Sequence, residues 1–271
     1  MTPFTYYTII GRDANLLEGH LKNVTEYAGF NKLEVEKKLL TIIYKNDKIS
    51  DEVTNDIKKV CEKYNSEYFI YNEPDDNFMT NLYACWNLGY EKALDGYVFR
   101  GGSDQVFSKD SFLSLYKARE VNKEQKIVLQ ANTIENQERN MQSRHLLAPL
   151  GDTFENFKMD AFESIIENIN NEPEVKNLDL VNIQTALKAW NGHPKSFECQ
   201  NGHVNRCDGC SWLMTRKEWE KYGPLPTVEN GHTGDVVIHD RMQRDGYWQY
   251  IVKNCITYHF VRGESKGVTQ T

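Results

Sequence analysis

The chain has 271 residues, of which 39% are hydrophobic and 12% aromatic, enough apolar side chains for one large core. Lys and Arg number 32 against 39 Asp and Glu, a formal charge of −7, which favours solubility and argues against a surface that coats phosphate indiscriminately, as a general nucleic-acid binder does. No run approaches the roughly 20 apolar residues of a membrane helix, and Met1–Ile10 lacks the basic stretch and cleavage site of a signal peptide, so a cytoplasmic, reducing compartment is expected.

Tyr6–Ile10, β-branched and aromatic, predicts a first strand that stops at Gly11, and Leu16–Tyr27 predicts a helix with Leu17, Leu21 and Val24 on one face. Leu39–Tyr44 is the second strand. Ser50-Asp51-Glu52 opens a helix whose apolar face is Val53, Ile57, Val60 and Cys61. Tyr68–Tyr71 is the third strand, Phe78–Ala93 the third helix and Tyr97–Arg100 the fourth strand. Strands alternating with helices of this length imply βαβ units and a mainly parallel sheet. Ligands on such sheets bind beyond the carboxyl ends of the strands. The polar clusters Gly11-Arg12-Asp13, Lys45-Asn46-Asp47, Asn72-Glu73 and Gly101–Asp104 all fall there.

The pattern then changes. A strand is expected at Lys126–Gln130, helices at Phe154–Ile169 and Leu178–Trp190, and an irregular stretch rich in Asn, Gly and Cys over His193–Asp208. Ser211–Met214 predicts a strand, and Arg216–Tyr222 a short helix stopped by Gly223-Pro224. Asp235–Gly246 is a helix, Tyr250–Tyr258 holds the last strand, and Glu264–Thr271 is a polar tail.

The first block with chemistry is Tyr97-Val98-Phe99-Arg100 running into Gly101-Gly102-Ser103-Asp104. A carboxylate at a strand end, flanked by small residues, lets a divalent cation and phosphates come close to the backbone. Transfer from a nucleotide sugar needs its leaving diphosphate neutralised in this way. Read alone, the same residues are equally an Asx-turn that ends a strand.

The flanking sequence is more specific. Trp86-Asn87-Leu88-Gly89-Tyr90-Glu91-Lys92-Ala93 followed by Gly96-Tyr97-Val98-Phe99 resembles, in order and spacing, the segment that leads into the Asp-Xaa-Asp motif of GT-A glycosyltransferases, in particular the large family-2 group of nucleotide-diphospho-sugar transferases. The resemblance implies an α/β fold of the GT-A type: a mainly parallel central sheet flanked by helices, with a mostly helical insertion. It implies a single domain over 1–271, with a nucleotide-sugar-binding half at 1–110, a helical and loop insertion at 111–208, and an acceptor and catalytic half with the C-terminal tail at 209–271. Gly102 stands where the family has its first aspartate, which leaves Asp104 as the candidate metal ligand and Asn87, Gly102 and Ser103 as donor contacts. Asn46-Asp47-Lys48-Ile49-Ser50-Asp51-Glu52 resembles the family's Asp-Asp-Gly-Ser-Thr-Asp, with Lys48 in place of glycine, so Asp47 would contact the nucleobase or ribose. Gly11, Arg12 and Asp13 would form the first-strand loop over the nucleoside. Each of these also reads as an ordinary solvated turn.

The second block runs from Gly209-Cys210-Ser211-Trp212 through Tyr222-Gly223-Pro224 to Gly234-Asp235 and Asp245-Gly246-Tyr247. It resembles the family's glycine-opened strand, its short helix ending in Gly-Pro-Phe, and its acid-opened helix ending in Gly-Tyr. In inverting members that acid is the general base for the acceptor hydroxyl, which implies Asp235 here. An ordinary helix-opening carboxylate is the alternative. The third block is Tyr258-His259-Phe260-Val261-Arg262. By the same resemblance His259 completes the metal shell, while Arg262 and Lys266 neutralise phosphate. A carboxylate with an imidazole suits Mn²⁺ better than Mg²⁺.

There are six cysteines. Cys61, Cys85 and Cys255 read as buried thiols. Cys199, His203, Cys207 and Cys210 have the spacing of a tetrahedral structural Zn²⁺ set, against the reading that Cys210 points into the core.

The function expected is transfer of a sugar from a nucleoside-diphosphate donor, a UDP-sugar foremost, to an acceptor hydroxyl with Mn²⁺ or Mg²⁺. The acceptor is a surface glycan on one reading and a hydroxylated base of phage DNA on another. A nucleotidyltransferase and an inactive sugar-nucleotide-binding module are the rivals from other classes. The first needs a Gly-rich basic phosphate loop, for which Gly11-Arg12-Asp13-Ala14-Asn15 is a poor match.

Overall fold

A computed structural model describes residues 1–72, 78–135, 146–182, 185, 189, 211–229 and 232–260. The first hundred residues form β1 (Phe4–Ile10), α1 (Ala14–Lys22), β2 (Lys37–Lys45), α2 (Asp51–Lys63), β3 (Glu67–Asn72), α3 (Phe78–Lys92) and β4 (Tyr97–Arg100). Local signals set these bounds. Asp13 accepts a hydrogen bond from the Leu16 amide to cap α1, which continues into a π turn over Asn23–Tyr27. Ser50 caps α2 through the Val53 amide, with Asp51 and Glu52 in the positively polarised first turn. All four strands run parallel, in the order β3-β2-β1-β4.

The remaining elements are β5 (Gln105–Phe107), α4 (Ser111–Val121), β6 (Ile127–Glu135), β7 (Leu146–Leu147), α5 (Met159–Asn171), β8 (Leu180–Val181), β9 (Trp212–Thr215), α6 (Arg216–Tyr222), β10 (Val228–Glu229), β11 (His232–Thr233), α7 (Gly234–Arg244) and β12 (Trp248–His259). The main sheet continues from β4 through β9, β6 and β12 to β5, with β7 on β6 and β8 on β12. β6 and β12 are parallel to each other, whereas β9 runs antiparallel between β4 and β6, and β5 and β8 run antiparallel to β12. The sheet is therefore parallel on its N-terminal side and mixed beyond β4.

Two expected helices are corrected at their starts. Leu180–Val181, inside the helix expected over Leu178–Trp190, is a strand paired with Ile251 and Val252. Its backbone completes the ladder of β12, while Thr185 and Ala189 further along the expected span are helical and the rest of 183–190 lies outside the described residues. The helix expected from Phe154 starts only at Met159. Phe154 and Phe157 fill space against the end of β12, with ring centroids 5.1 Å from Phe260 and 4.9 Å from Tyr258. The strand expected at Lys126–Gln130 reaches Glu135, so segment 111–208 supplies an inner strand of the sheet as well as helices α4 and α5.

Alternation along the strands sorts the core onto two faces. Phe4, Tyr6, Leu39, Ile43 and Phe99 pack with α1, α2 and α4. Tyr7, Leu40, Ile42, Val98, Trp212 and Met214 pack with α3, α6 and α7. A Cβ on Gly89 would lie 2.3 Å from the Tyr7 ring, so α3 keeps a glycine in mid-helix to rest on β1. Cys61, Cys85 and Cys255 are buried, as expected. Among the described residues no helix is long and apolar enough to cross a membrane.

Candidate functional site

β1, β2 and β4 are parallel, so the loops after them open on one rim. The helices α3 and α7 each run back to the start of a strand in this parallel set, which places their N-termini on that same rim. On it stand Gly11–Asp13 after β1, Asn46–Lys48 after β2, and Gly101–Asp104 after β4. Arg12 and Asp47 are exposed, and Asn46 Oδ1 accepts from the Lys48 amide (3.0 Å) in an Asx-turn. Asp13 caps α1, and a Cβ added at Gly11 would meet Tyr44 only at ordinary contact distance, 3.5 Å.

The turn after β4 is held from below. A Cβ on Gly101 would lie 2.4 Å from the Tyr6 hydroxyl, so glycine is required there. Gln105 Oε1 accepts from the Gly102 amide and from Ser211 Oγ, both at 2.8 Å. The Gln105 carbonyl lies 2.8 Å from His20 Nδ1, and His20 Nε2 lies 2.7 Å from the Tyr6 hydroxyl. A carbonyl can only accept, so Nδ1 carries the proton and Nε2 accepts from Tyr6. The imidazole is neutral, in agreement with burial lowering its pKa from 6.5 to about 4, partly offset by the bond to Gln105.

This buried histidine makes a testable contribution to acid stability. Below pH 6.5 the unfolded chain takes up a proton that the folded chain refuses until about pH 4, so stability is lost as pH falls through that window. The loss totals roughly 3 kcal/mol at 1.36 kcal/mol per pH unit. Urea denaturation at pH 7 and pH 4.5 is expected to show a smaller drop for His20→Gln than for the native chain. Equal drops would remove His20 from the account.

Asp104 meets His259 at this turn: Asp104 Oδ2 is 3.1 Å from His259 Nε2. The antiparallel pairing of β5 with β12 sets His259 opposite Gln105, and the Phe260 amide donates to the Asp104 carbonyl at 2.9 Å. His259 is buried and Asp104 is partly open to solvent. A carboxylate oxygen and an imidazole nitrogen facing one another form a mixed donor pair of the kind Mn²⁺ accepts. Among the described residues no third His, Cys, Asp or Glu joins them, so substrate oxygens and water would have to complete a shell.

Asp235 lies in the first turn of α7, half-buried, and its Oδ1 accepts from the Tyr83 hydroxyl of α3 at 2.9 Å. The side chain of Asn87, expected as a donor contact, is engaged within the protein. Its Nδ2 donates to the Leu225 carbonyl (3.0 Å), and its Oδ1 accepts from the Leu225 amide (2.9 Å) and from Trp219 Nε1 (3.3 Å), so it ties α3 to the segment after α6. Arg262 and Lys266, and the candidate zinc set Cys199, His203, Cys207 and Cys210, lie outside the described residues.

Sequence reading did not single out Tyr6, His20, Gln105 or Tyr83. His20 carried a signal, a polar residue one position from Leu21 on the apolar side of α1. The other three carried none, because aromatic and amide residues in strands and helices look like ordinary core or surface.

This architecture, with a mixed sheet whose strand ends carry an acidic turn facing a histidine of the last strand, is the GT-A fold. Among solved structures it is similar to GalNAc-T7 with UDP, GalNAc and Mn²⁺, at 10% identity and a TM-score of 0.56, covering 97% of this chain and 44% of that one. It is similar to the mannosyltransferase PcManGT from Pyrobaculum calidifontis in complex with GDP-Man and Mn²⁺, at 11% identity and a TM-score of 0.55, covering 96% of this chain and 57% of that one. It is also similar to S. aureus TarS, at 10% identity and a TM-score of 0.53, covering 98% and 38%. At these identities the likeness establishes the fold, and the chain spans between 38% and 57% of the length of these three neighbours. No family model matches the sequence, and no curated protein matches it significantly.

Proposed function

We propose that this chain transfers a sugar from a nucleoside-diphosphate donor to an acceptor hydroxyl with the help of a divalent cation. The observation that carries the reading is the Asp104–His259 pair, 155 residues apart in sequence and 3.1 Å apart at the end of β4. Two neighbours of this fold were solved with Mn²⁺, one with UDP and one with GDP-Man, which supports a UDP- or GDP-sugar as donor here.

In this reading Asp104 and His259 hold the cation, Mn²⁺ before Mg²⁺, and a bound cation neutralises charge on the departing diphosphate. Gly102 and Ser103 let the diphosphate approach the backbone. Gly11, Arg12, Asp13 and Asp47 face the nucleoside, and Arg262 and Lys266 add positive charge from the C-terminal segment. Asp235 takes the proton from the attacking hydroxyl, with the Tyr83 hydroxyl fixing its orientation. A glycan is the acceptor class this reading favours, with a hydroxylated DNA base as the alternative; the net charge of −7 gives a DNA surface no support.

The test is a screen of UDP-, GDP- and CMP-sugars for hydrolysis and for thermal stabilisation, each with and without Mn²⁺. At least one donor is expected to stabilise the chain and to be hydrolysed slowly when Mn²⁺ is present. If no donor binds or is hydrolysed in either condition, the enzyme reading fails and an inactive fold relative takes its place.

A further inference from the structure

Arg100, the last residue of β4, is only 1% exposed, and among the described residues none of its three guanidinium nitrogens has a partner at full hydrogen-bond geometry. The guanidinium carbon lies 3.7 Å from the ring centroid of Trp86 and 4.3 Å from that of Trp212. The Tyr7 hydroxyl donates to the Trp86 carbonyl at 3.0 Å, and its oxygen lies near enough to Arg100 for the charge of the guanidinium and a weak side-chain contact with it to offset part of the rise that burial imposes on the Tyr7 pKa. Two indole faces compensate part of the cost of removing the cation from water. They do nothing for its five N–H donors, and arginine cannot escape by losing its proton. A permanently charged, unsatisfied fork in a core is normally selected against unless something arrives to pair with it.

Its position says where that partner would come from. Arg100 directly precedes the Gly101–Asp104 turn, and its side chain points to the face of the sheet that carries α3 and α7, the face opposite Tyr6 and His20. Both walls of the slot lead to the start of α7. The Trp86 ring meets Tyr83 at 4.8 Å, and Tyr83 holds Asp235. The Trp212 ring meets His239, one turn after Asp235, at 4.1 Å. Trp212 is fixed, since its Nε1 donates to the Tyr90 hydroxyl at 2.6 Å. Trp86 is half-buried, so it is the wall that can move aside. A second unsatisfied group lies nearby in the sheet. Gln130 of β6 pairs with Trp212, and two residues on, Asn132 is fully buried with neither amide atom hydrogen-bonded among the described residues.

We infer that Arg100 recognises a carboxylate on the transferred sugar, so that the donor is a nucleotide-activated acidic sugar such as a hexuronate. The inference rests on the glycosyltransferase reading and narrows it. A carboxylate takes two parallel bonds from a guanidinium and stays in its plane, whereas a phosphate paired in the same way also projects oxygens out of that plane, toward the sides on which the indole rings lie. The amide of Asn132 offers polar contacts of the kind that sugar hydroxyls take up.

The experiment measures binding in the presence of Mn²⁺ for UDP-glucuronate against UDP-glucose, GDP-mannuronate against GDP-mannose, and UDP and GDP alone. The native chain is expected to bind the acidic member of one pair at least ten-fold more tightly than the neutral one. Arg100→Met is expected to abolish that preference while leaving the neutral sugar and the free nucleotide unchanged, and its Tm is expected to equal or exceed the native value because an unpaired charge has left the core. Arg100→Lys, which keeps the charge and loses the fork, is expected to retain a small part of the preference, and serves if the methionine variant does not fold. Equal affinity for acidic and neutral donors in the native chain overturns the inference and leaves the glycosyltransferase reading standing. An equal loss for UDP, neutral and acidic donors in Arg100→Met also overturns it, since Arg100 would then read the diphosphate. Failure of every nucleotide and nucleotide sugar to bind the native chain overturns both.

Discussion

Asp235→Asn is expected to lower kcat by about 10²- to 10⁴-fold, the usual contribution of a positioned general base. The substitution keeps the shape of the side chain and an oxygen that can still accept from the Tyr83 hydroxyl, so α7 and α3 stay in register. What is lost is the ability to take a proton. Donor affinity should therefore hold within a few-fold, and the loss should fall on kcat. An acid in the first turn of a helix also contributes roughly 0.3–1 kcal/mol through the helix dipole, which bounds the expected change in stability. Steady-state transfer rates at saturating donor, together with a denaturation curve, separate the two contributions. If transfer survives and only stability moves, Asp235 is a helix-opening carboxylate and the base must be sought elsewhere.

Asp104→Ala is expected to remove the dependence of donor binding on Mn²⁺ and to lower kcat/KM on the order of 10³-fold, equivalent to several kcal/mol of charge stabilisation at 1.36 kcal/mol per decade. Because Gly102 supplies no second carboxylate in the turn, the described site has no other acid within it to take over. His259 would keep its place, since β12 is held by its pairing with β6 and β5 and not by the contact with Asp104. The fold should be little affected, as Asp104 is partly exposed and its pairing with His259 is screened by water. The check is a Mn²⁺ titration of donor affinity and hydrolysis in the native and variant chains. An unchanged Mn²⁺ response in Asp104→Ala would assign the cation to other groups.

The elements whose signals are local were legible in the residues. Ser50 and the two acids after it announced α2, and Gly223-Pro224 announced the end of α6. The alternation of Tyr6 and Tyr7 to opposite faces of β1 follows from the two-residue period of a strand. The failures have the same root. Leu180–Val181 shows no periodicity that distinguishes two residues of an edge strand from the first turn of a helix, and only the open ladder of β12 decides between them. Phe154 and Phe157 fit a helical pattern, yet their rings are used against Tyr258 and Phe260, over a hundred residues away.

For the candidate site, the small acidic turn after a strand made Asp104 legible in a few consecutive residues, whereas Asp235 and His259 came from the resemblance of their flanking segments to the glycosyltransferase family. The sequence by itself thus determined the strand-helix alternation, the caps and the turn that ends β4, all of which depend on periods of two and 3.6 residues and on the conformational needs of glycine, serine and aspartate. Only the tertiary structure decided that Asp104 faces His259, that Tyr83 holds Asp235, that Tyr6 and His20 support the turn, and that the buried guanidinium of Arg100 lies against Trp86 and Trp212 with no well-formed hydrogen bond among the described residues. Those contacts depend on strand order, on the antiparallel register of β5 and β9, and on the packing of α3 and α7 over one face. None of these is encoded within a single stretch of chain.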